Sequence, residues 1–485
     1  GVRADVVPGP IFRDGVVLQR EKPVRVFGEA APGEKVTVIF RGQEFAAASA
    51  PTGYWLAVLP AMPASAEPAE LILKGRNTVV VRDVLVGDVW LCSGQSNMEW
   101  FVSRSARFEE ERAAAKHPLI RHFKIPRTAS EQPVRSAGGE WVTCSPDTVG
   151  DFSAVAYFFA RELQAKIGVP IGLINSSWGG TQIESWMSEA SLREDPAYAA
   201  IVQRWHDRLK SFPSQMAEYE QRLAAWQEDS RAAKSAGRPF PRRKPTKPEG
   251  PGSRWQPSSL YNGMIAPVVP TSIRGFLWYQ GEANVERHAE YRTLFPAMIR
   301  QWRADFAQGD LPFFFVQLAN LERRNDATGE QWAWQRDAQT EALKLPATGM
   351  AVTIDIGEAN DIHPKNKQEV GRRLALLALN RVYGLSCVDA GPAVAEVTRE
   401  GTSLRVTFDT DDLRTNDPSL PGFEIAGANG VFHAAQAKLE GRAVVLSSSK
   451  VSAPQRVRYA WHNNPPAPLA NAHGLPVAPF LVQVQ

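Results

Sequence analysis

Five short, almost wholly apolar runs restrict this chain most: VWLCS (Val89 to Ser93), PIGLINS (Pro170 to Ser176), GFLWYQ (Gly275 to Gln280), PFFFVQLA (Pro312 to Ala319) and MAVTIDIG (Met350 to Gly357). A strand without polar alternation must be covered on both faces, and parallel neighbours need crossovers long enough to be helices. The intervening stretches supply them. In DFSAVAYFFARELQAKIG, Phe152, Val155, Phe158, Phe159 and Leu163 fall on one helical face, with Asp151 as the expected N-cap and Gly168 as the stop. EVGRRLALLALNRVYG, from near Glu369 to Gly384, reads as the last helix of the core. This alternation predicts an α/β domain around a parallel sheet.

On both sides of that domain the pattern changes to period-two alternation. PVRVFGEA, KVTVIF, YWLAVLP, AELILKG and NTVVVRDVLVG lie between Lys22 and Gly87, punctuated by Gly, Pro and Asn. SLRVTF, AVVLSS and RVRYAWH follow Ala390. With 485 residues, more than one hydrophobic core usually organises, the chain is expected to comprise an N-terminal β module (1–86), a core (87–388) and a C-terminal β module (389–485). Residues 199–256 interrupt the core with a charged helical stretch and then GRPFPRRKPTKPEGPG, in which Pro and Gly forbid regular structure. This is expected to be a loop or lid, and its run Arg242, Arg243, Lys244 reads as a solvated basic stretch.

A net charge of +3 gives no footprint of the kind nucleic-acid binding requires, and no apolar run is long enough to cross a bilayer. Cys92, Cys144 and Cys387 match neither a zinc site nor a redox motif; they read as buried small hydrophobes, with room for one disulfide. The chain begins at Gly1 without a charged and apolar leader, which suits a mature or trimmed product.

The chemistry-bearing segments lie at the ends of the apolar strands, where open parallel sheets gather ligands. CSGQSNMEW puts Ser96 directly after the first. A serine needs a base for its proton and amide donors for the oxyanion it creates. EANDIHPKNKQ, after the last strand, offers His363 as that base, with Asp361 two residues upstream to orient it. SSWGGT provides backbone amides at Gly179 and Gly180 that can approach a substrate closely. WYQGEAN adds the side-chain amides of Gln280 and Asn284, with Glu282 between them as a network or substrate contact. Each segment also has an ordinary structural reading: a turn or helix cap for Ser96, a helix-entry histidine for His363, a tight turn for the glycines and a satisfied polar turn for WYQGEAN.

Together, GQSNMEW, GLINSSWGGTQIESW, LYNGMIAP, WYQGEAN, DIHPKNK and the closing RYAWHNNPPAPLANAHGLPVAPF resemble the sialate O-acetylesterase-like carbohydrate esterases of the SGNH hydrolase superfamily. The resemblance covers most of the chain. It implies an SGNH-type three-layer α/β/α core flanked by β-sandwich-like modules, removal of acetyl esters from sugars without metal or cofactor, and a secreted or periplasmic location. By motif it makes Ser96 the nucleophile, His363 the base, Asp361 the orienting acid, and Gly180 with Gln280 or Asn284 the oxyanion donors. One departure concerns the acid: many SGNH enzymes carry it three residues before the histidine, where this chain has Asn360. Asp355, Glu358 or a backbone carbonyl are then alternatives to Asp361.

The acetylated carbohydrate is a sialic acid or a plant hemicellulose oligosaccharide such as one from xyloglucan or xylan. Competing readings are a lipase or thioesterase on the same nucleophile and a non-catalytic carbohydrate-binding protein; paired carboxylates at Glu99 and Glu282 would suit a glycosidase. Trp100, Trp178, Trp186 and Trp278 are either sugar platforms or core.

Overall fold

The computed structural model describes residues 5–323 and 325–484; positions 1–4, at the start of the expected N-terminal module, and 324 and 485 lie outside the described residues. The fold is mixed α/β, built on β1 (Thr78–Gly94), whose sequence TVVVRDVLVGDVWLCSG is rich in β-branched residues that suit a strand. Its first half pairs antiparallel with Ser65–Lys74 of the N-terminal module. Its second half is central to the main sheet, parallel to β4 (Ile171–Ser177) on one side and β5 (Gly275–Tyr279) on the other. β2 (Ile120–Lys124) lies outside β4 and carries the short antiparallel β3 (Trp141–Thr143) at its edge; β6 (Phe313–Val316) and β7 (Thr348–Ala351) extend the other side in parallel. Position 86/87 therefore falls inside one strand, not in a linker.

Every other residue of the central strands joins the same apolar cluster. Phe276, Trp278, Phe313 and Phe315 pack with Phe295, Ile299 and Trp302 of α4 (His288–Phe306). Leu277, Tyr279, Phe314 and Val316 join the cluster of Val155, Phe158 and Phe159 from α2 (Ala154–Ile167) and Leu374 and Leu377 from α6 (Lys367–Arg381). This is the period-two geometry of a sheet buried on both faces.

The structure amends the sequence reading in several places. β2 was not foreseen because Arg121, His122 and Lys124 break its apolar pattern; yet Arg121 is buried against Asp83 at 2.8 Å, and buried His122 stacks on Phe152 with centroids 4.6 Å apart. The N-cap of α2 is Ser153 rather than Asp151: its side chain accepts from the Ala156 amide, and the helix ends as expected at Gly168, with φ of 69°. α6 begins at Lys367, two residues before Glu369, because Asn366 caps it. All three cysteines are free.

The insertion forms α3 (Ala199–Ser235), after which residues 238–250 run back without regular structure. There the Trp226 indole donates to the Arg242 carbonyl at 2.9 Å and Arg242 pairs with Asp229, while Arg243 and Lys244 are exposed. The C-terminal module has two four-stranded sheets sharing one apolar cluster. It is fixed to α5 (Gln331–Thr340) of the core by Asn463, which bonds the Trp332 amide and Asp326, and by buried Arg336, whose guanidinium donates to the carbonyls of Leu318, Ala319, His462 and Asn463. Among the described residues, no helix is long and apolar enough to cross a membrane.

Candidate active site

The chain leaves β1 in the middle of the sheet, builds β2 to β4 on one side, then crosses to build β5 to β7 on the other. A crevice at the carboxyl ends of the strands follows from that reversal, and Ser96 sits there, two residues past the end of β1. The turn depends on glycine. Gly94 has φ of 137°, and a Cβ on it would overlap the Tyr279 carbonyl oxygen of the neighbouring strand. The Gln95 amide donates to that carbonyl at 3.0 Å, and Gln95 starts the short helix α1 (Ser96–Glu99). First-turn amides of a helix have no intrahelical acceptor, which leaves the Ser96 N–H available as a donor.

Ser96 and His363 meet across the sheet. Nε2 of His363 lies 2.9 Å from Ser96 Oγ, a hydrogen-bonding distance. The imidazole stacks on Trp100, with centroids 4.8 Å apart and planes 16° from parallel. Burial lowers the His363 pKa from its usual 6.5; Lys367 and Arg104 push it the same way, while Asp361 opposes them. The ring is therefore neutral near pH 7.

Asp361 is beside His363 but does not hydrogen-bond its ring. Its Oδ1 accepts the His363 backbone N–H at 2.9 Å and stands 3.8 Å from Nδ1, too far for a hydrogen bond. The alternatives are engaged elsewhere: Asp355 makes a two-pronged ion pair with Arg373, and Glu358 accepts the Lys365 amide. The acid expected to orient His363 is thus a near neighbour of the imidazole without a hydrogen bond to its Nδ1.

The expected oxyanion donors divide similarly. Gly179 packs against Ser96, where an added Cβ would come 3.1 Å from the serine Cβ, but its N–H is given to Glu99 Oε2 at 2.9 Å. Glu99 is in turn held by Arg127. The Gly180 amide has no acceptor among the described residues; φ there is 70° and the Trp255 indole donates to its carbonyl at 2.8 Å. Gln280 is fully buried with its amide donating to Thr181 O and Asn284 Oδ1, and Asn284 donates to Glu184. Sequence could not reveal that these side chains satisfy the interior. Among the described residues, the backbone N–H groups of Ser96 and Gly180 have no acceptor.

Glu282 lies inside a network, as one of its two readings held, with Oε1 accepting from Asn97 at 2.6 Å. Trp186 and Trp278 are core, while Trp100 and Trp178 are only partly buried. Sequence reading passed over Asn97 and Lys367, although both sit in motifs it quoted. Lys367 is completely buried and donates to Asn97 Oδ1 at 2.6 Å; a lysine at the first position of a helix gave no sign of burial.

A family model described as carbohydrate esterase, sialic acid-specific acetylesterase, matches residues 86–221 and 251–380. Rat sialate O-acetylesterase is 31% identical over 452 residues, spanning 85% of this chain and 80% of the rat protein. The human sialate O-acetylesterase is 31% identical over 412 residues, 77% of this chain and 70% of that one. Among solved structures, a carbohydrate acetylesterase from Xanthomonas citri superposes with a TM-score of 0.82 at 38% identity, covering 99% of this chain and all of the other. The break in the family match falls on the last part of α3 and the Pro-rich return. The chain belongs to the sialic acid-specific acetylesterase family of carbohydrate esterases.

Proposed function

We propose that this esterase removes O-acetyl groups from carbohydrates by a serine mechanism, with Ser96 as nucleophile and His363 as general base. The observation that carries the reading is the 2.9 Å contact between Ser96 Oγ and His363 Nε2 at the carboxyl end of the central strand. For Nε2 to accept, the ring proton must sit on Nδ1, the nitrogen that faces Asp361.

Ser96 Oγ attacks the acetyl carbonyl carbon as its proton passes to Nε2. The oxygen that becomes negative is met by the Ser96 and Gly180 amides, donors fixed in advance and therefore stabilising without reorganisation. Collapse breaks the bond to the sugar oxygen, which takes the proton from Nε2 and leaves. Water, deprotonated by the same nitrogen, then releases acetate from the serine. Asp361 favours the transient imidazolium through its charge. No cofactor enters any step.

The surroundings favour a small acyl group on a polar alcohol: the partly buried rings near the dyad are Trp100 and Trp178, set among Arg104, Arg127 and Arg254. The alternating apolar clusters support the SGNH-type three-layer reading of the core, with 1–86 and 389–485 as flanking modules, the first continuous with it through β1. Secretion or residence in the periplasm fits an extracellular sugar substrate.

The test is acetate release by the wild type and Ser96→Ala from acetylated sialic acid, acetylated xyloglucan and xylan oligosaccharides, an aryl acetate and a long-chain aryl ester. Loss of Ser96 should cost on the order of 10⁶ in turnover. Wild-type preference for an acetyl sugar would identify the substrate class. Unimpaired Ser96→Ala would overturn the mechanism, and preference for the long-chain ester would overturn the substrate.

A further inference from the structure

One buried side-chain amide joins every segment that builds the dyad. Asn97, next to the nucleophile, is 1% exposed. Its Nδ2 donates to the carbonyl of Ile362, the residue before His363, at 3.0 Å and to Glu282 Oε1 at 2.6 Å. Its Oδ1 accepts from Lys367 Nζ at 2.6 Å. The nucleophile turn, the loop after β5, the histidine loop and the first residue of α6 therefore converge on it. The amide fits in only one orientation, since an ammonium needs an acceptor and a carboxylate and a carbonyl need a donor.

The lysine is also bound to the histidine's own support. Its ammonium lies 5.9 Å from the centre of the Trp100 ring and 5.5 Å from that of Tyr279, within cation–π range, and Trp100 is the ring on which His363 stacks. Removing an ammonium and a carboxylate from water is costly, and such groups persist inside a protein only where they are paired. Here the two ions are bridged by a neutral amide rather than touching, so the bridge depends on the arrangement that holds Ser96 and His363 together.

We infer that Lys367 and Glu282 act through Asn97 as positioning residues for the Ser96–His363 pair, supplying the orientation that Asp361, with no hydrogen bond to Nδ1, does not. The inference rests on the assignment of Ser96 and His363 as nucleophile and base. The charge environment agrees with it. Lys367 faces Glu282, Asp361 and Glu358, and burial brings its pKa down to about 7; burial pushes Glu282 upward. His363 faces Lys367, Asp361 and Arg104. A protonated Lys367 thus disfavours the imidazolium, whereas Asp361 favours it.

The experiment compares Lys367→Met, Asn97→Asp and Asp361→Asn in the full chain, after Ser96→Ala has been shown to abolish acetate release. Ser96→Ala with full activity would sink the underlying mechanism, not the positioning role specifically. Asn97→Asp preserves size and an oxygen for Lys367 while removing the donor from Ile362 and Glu282, so it provides a folded variant if Lys367→Met does not fold. In Lys367→Met and in Asn97→Asp, each with wild-type circular dichroism, kcat should fall about 100-fold, the cost of roughly an ångström of misplacement, with KM within about threefold. The acid limb of kcat/KM should move to higher pH in Lys367→Met and to lower pH in Asp361→Asn, opposite shifts that a filler lysine would not produce. Folded Lys367→Met and Asn97→Asp retaining kcat within about threefold of wild type, or Lys367→Met with an unshifted limb, would overturn the inference.

Discussion

Asp361→Asn separates charge from shape at the dyad, because the asparagine Oδ1 can still accept the His363 backbone N–H now received by Asp361. The carboxylate oxygen is 3.8 Å from Nδ1. At that range a carboxylate and an imidazolium attract by about 1 kcal/mol in a medium close to water and about 4 kcal/mol at an effective dielectric near 20. With the Asp361 and His363 side chains 41% and 27% exposed, the lower figure applies. About 1 kcal/mol is roughly a fivefold change in rate, against roughly 10⁴ when an acid bonded directly to the catalytic histidine is neutralised. Losing the charge also lowers the imidazole pKa, because Asp361 is the neighbour that raises it, so the acid limb should shift down. The assay is kcat against pH on the preferred acetyl sugar. A hundredfold loss at the plateau would refute the argument, because a through-space charge at this distance cannot account for it.

Other consequences can be read with single variants. In the wild type, burial and the neighbouring Lys367 hold the His363 pKa below 6.5, and because the neutral ring is the active form, the acid inflection of kcat/KM should fall below 6.5 as well; an inflection above it would contradict the environment described. Gly94→Ala places a Cβ against the Tyr279 carbonyl at a φ of 137°, and should lower stability by about 3 kcal/mol, measured by denaturant melting. Gly179→Ala crowds the Ser96 Cβ at 3.1 Å; the melt should stay near wild type while kcat drops about 10- to 100-fold, and an unchanged kcat would show that Ser96 tolerates the push.

The fold was legible where apolar pattern and turn residues act locally. VWLCS, PIGLINS and GFLWYQ appear in register in the central sheet because no other element could cover strands apolar on both sides. Ser96 and His363 were legible because strand ends and motif wording pointed to both. What was not legible depends on partners distant in sequence. Ile120–Lys124 is a buried strand only because Asp83 and Phe152 satisfy Arg121 and His122. Gln280 and Asn284 look like available donors until Thr181, Ile183 and Glu184 are beside them. Lys367 looks like a surface lysine until Asn97, 270 positions away, accepts its hydrogen bond.

The single strand that runs from Thr78 to Gly94 has a consequence for how this molecule comes apart. Cooperative unfolding units follow continuous secondary structure more closely than they follow changes in sequence pattern. Since Ser65–Lys74 is laced to one half of that strand and Ile171–Ser177 to the other, fraying of the amino-terminal sheet would slacken the segment on which the serine turn is mounted. The amino-terminal module is thus part of the rigidity of the catalytic turn, and activity and the integrity of that sheet should be lost in one transition.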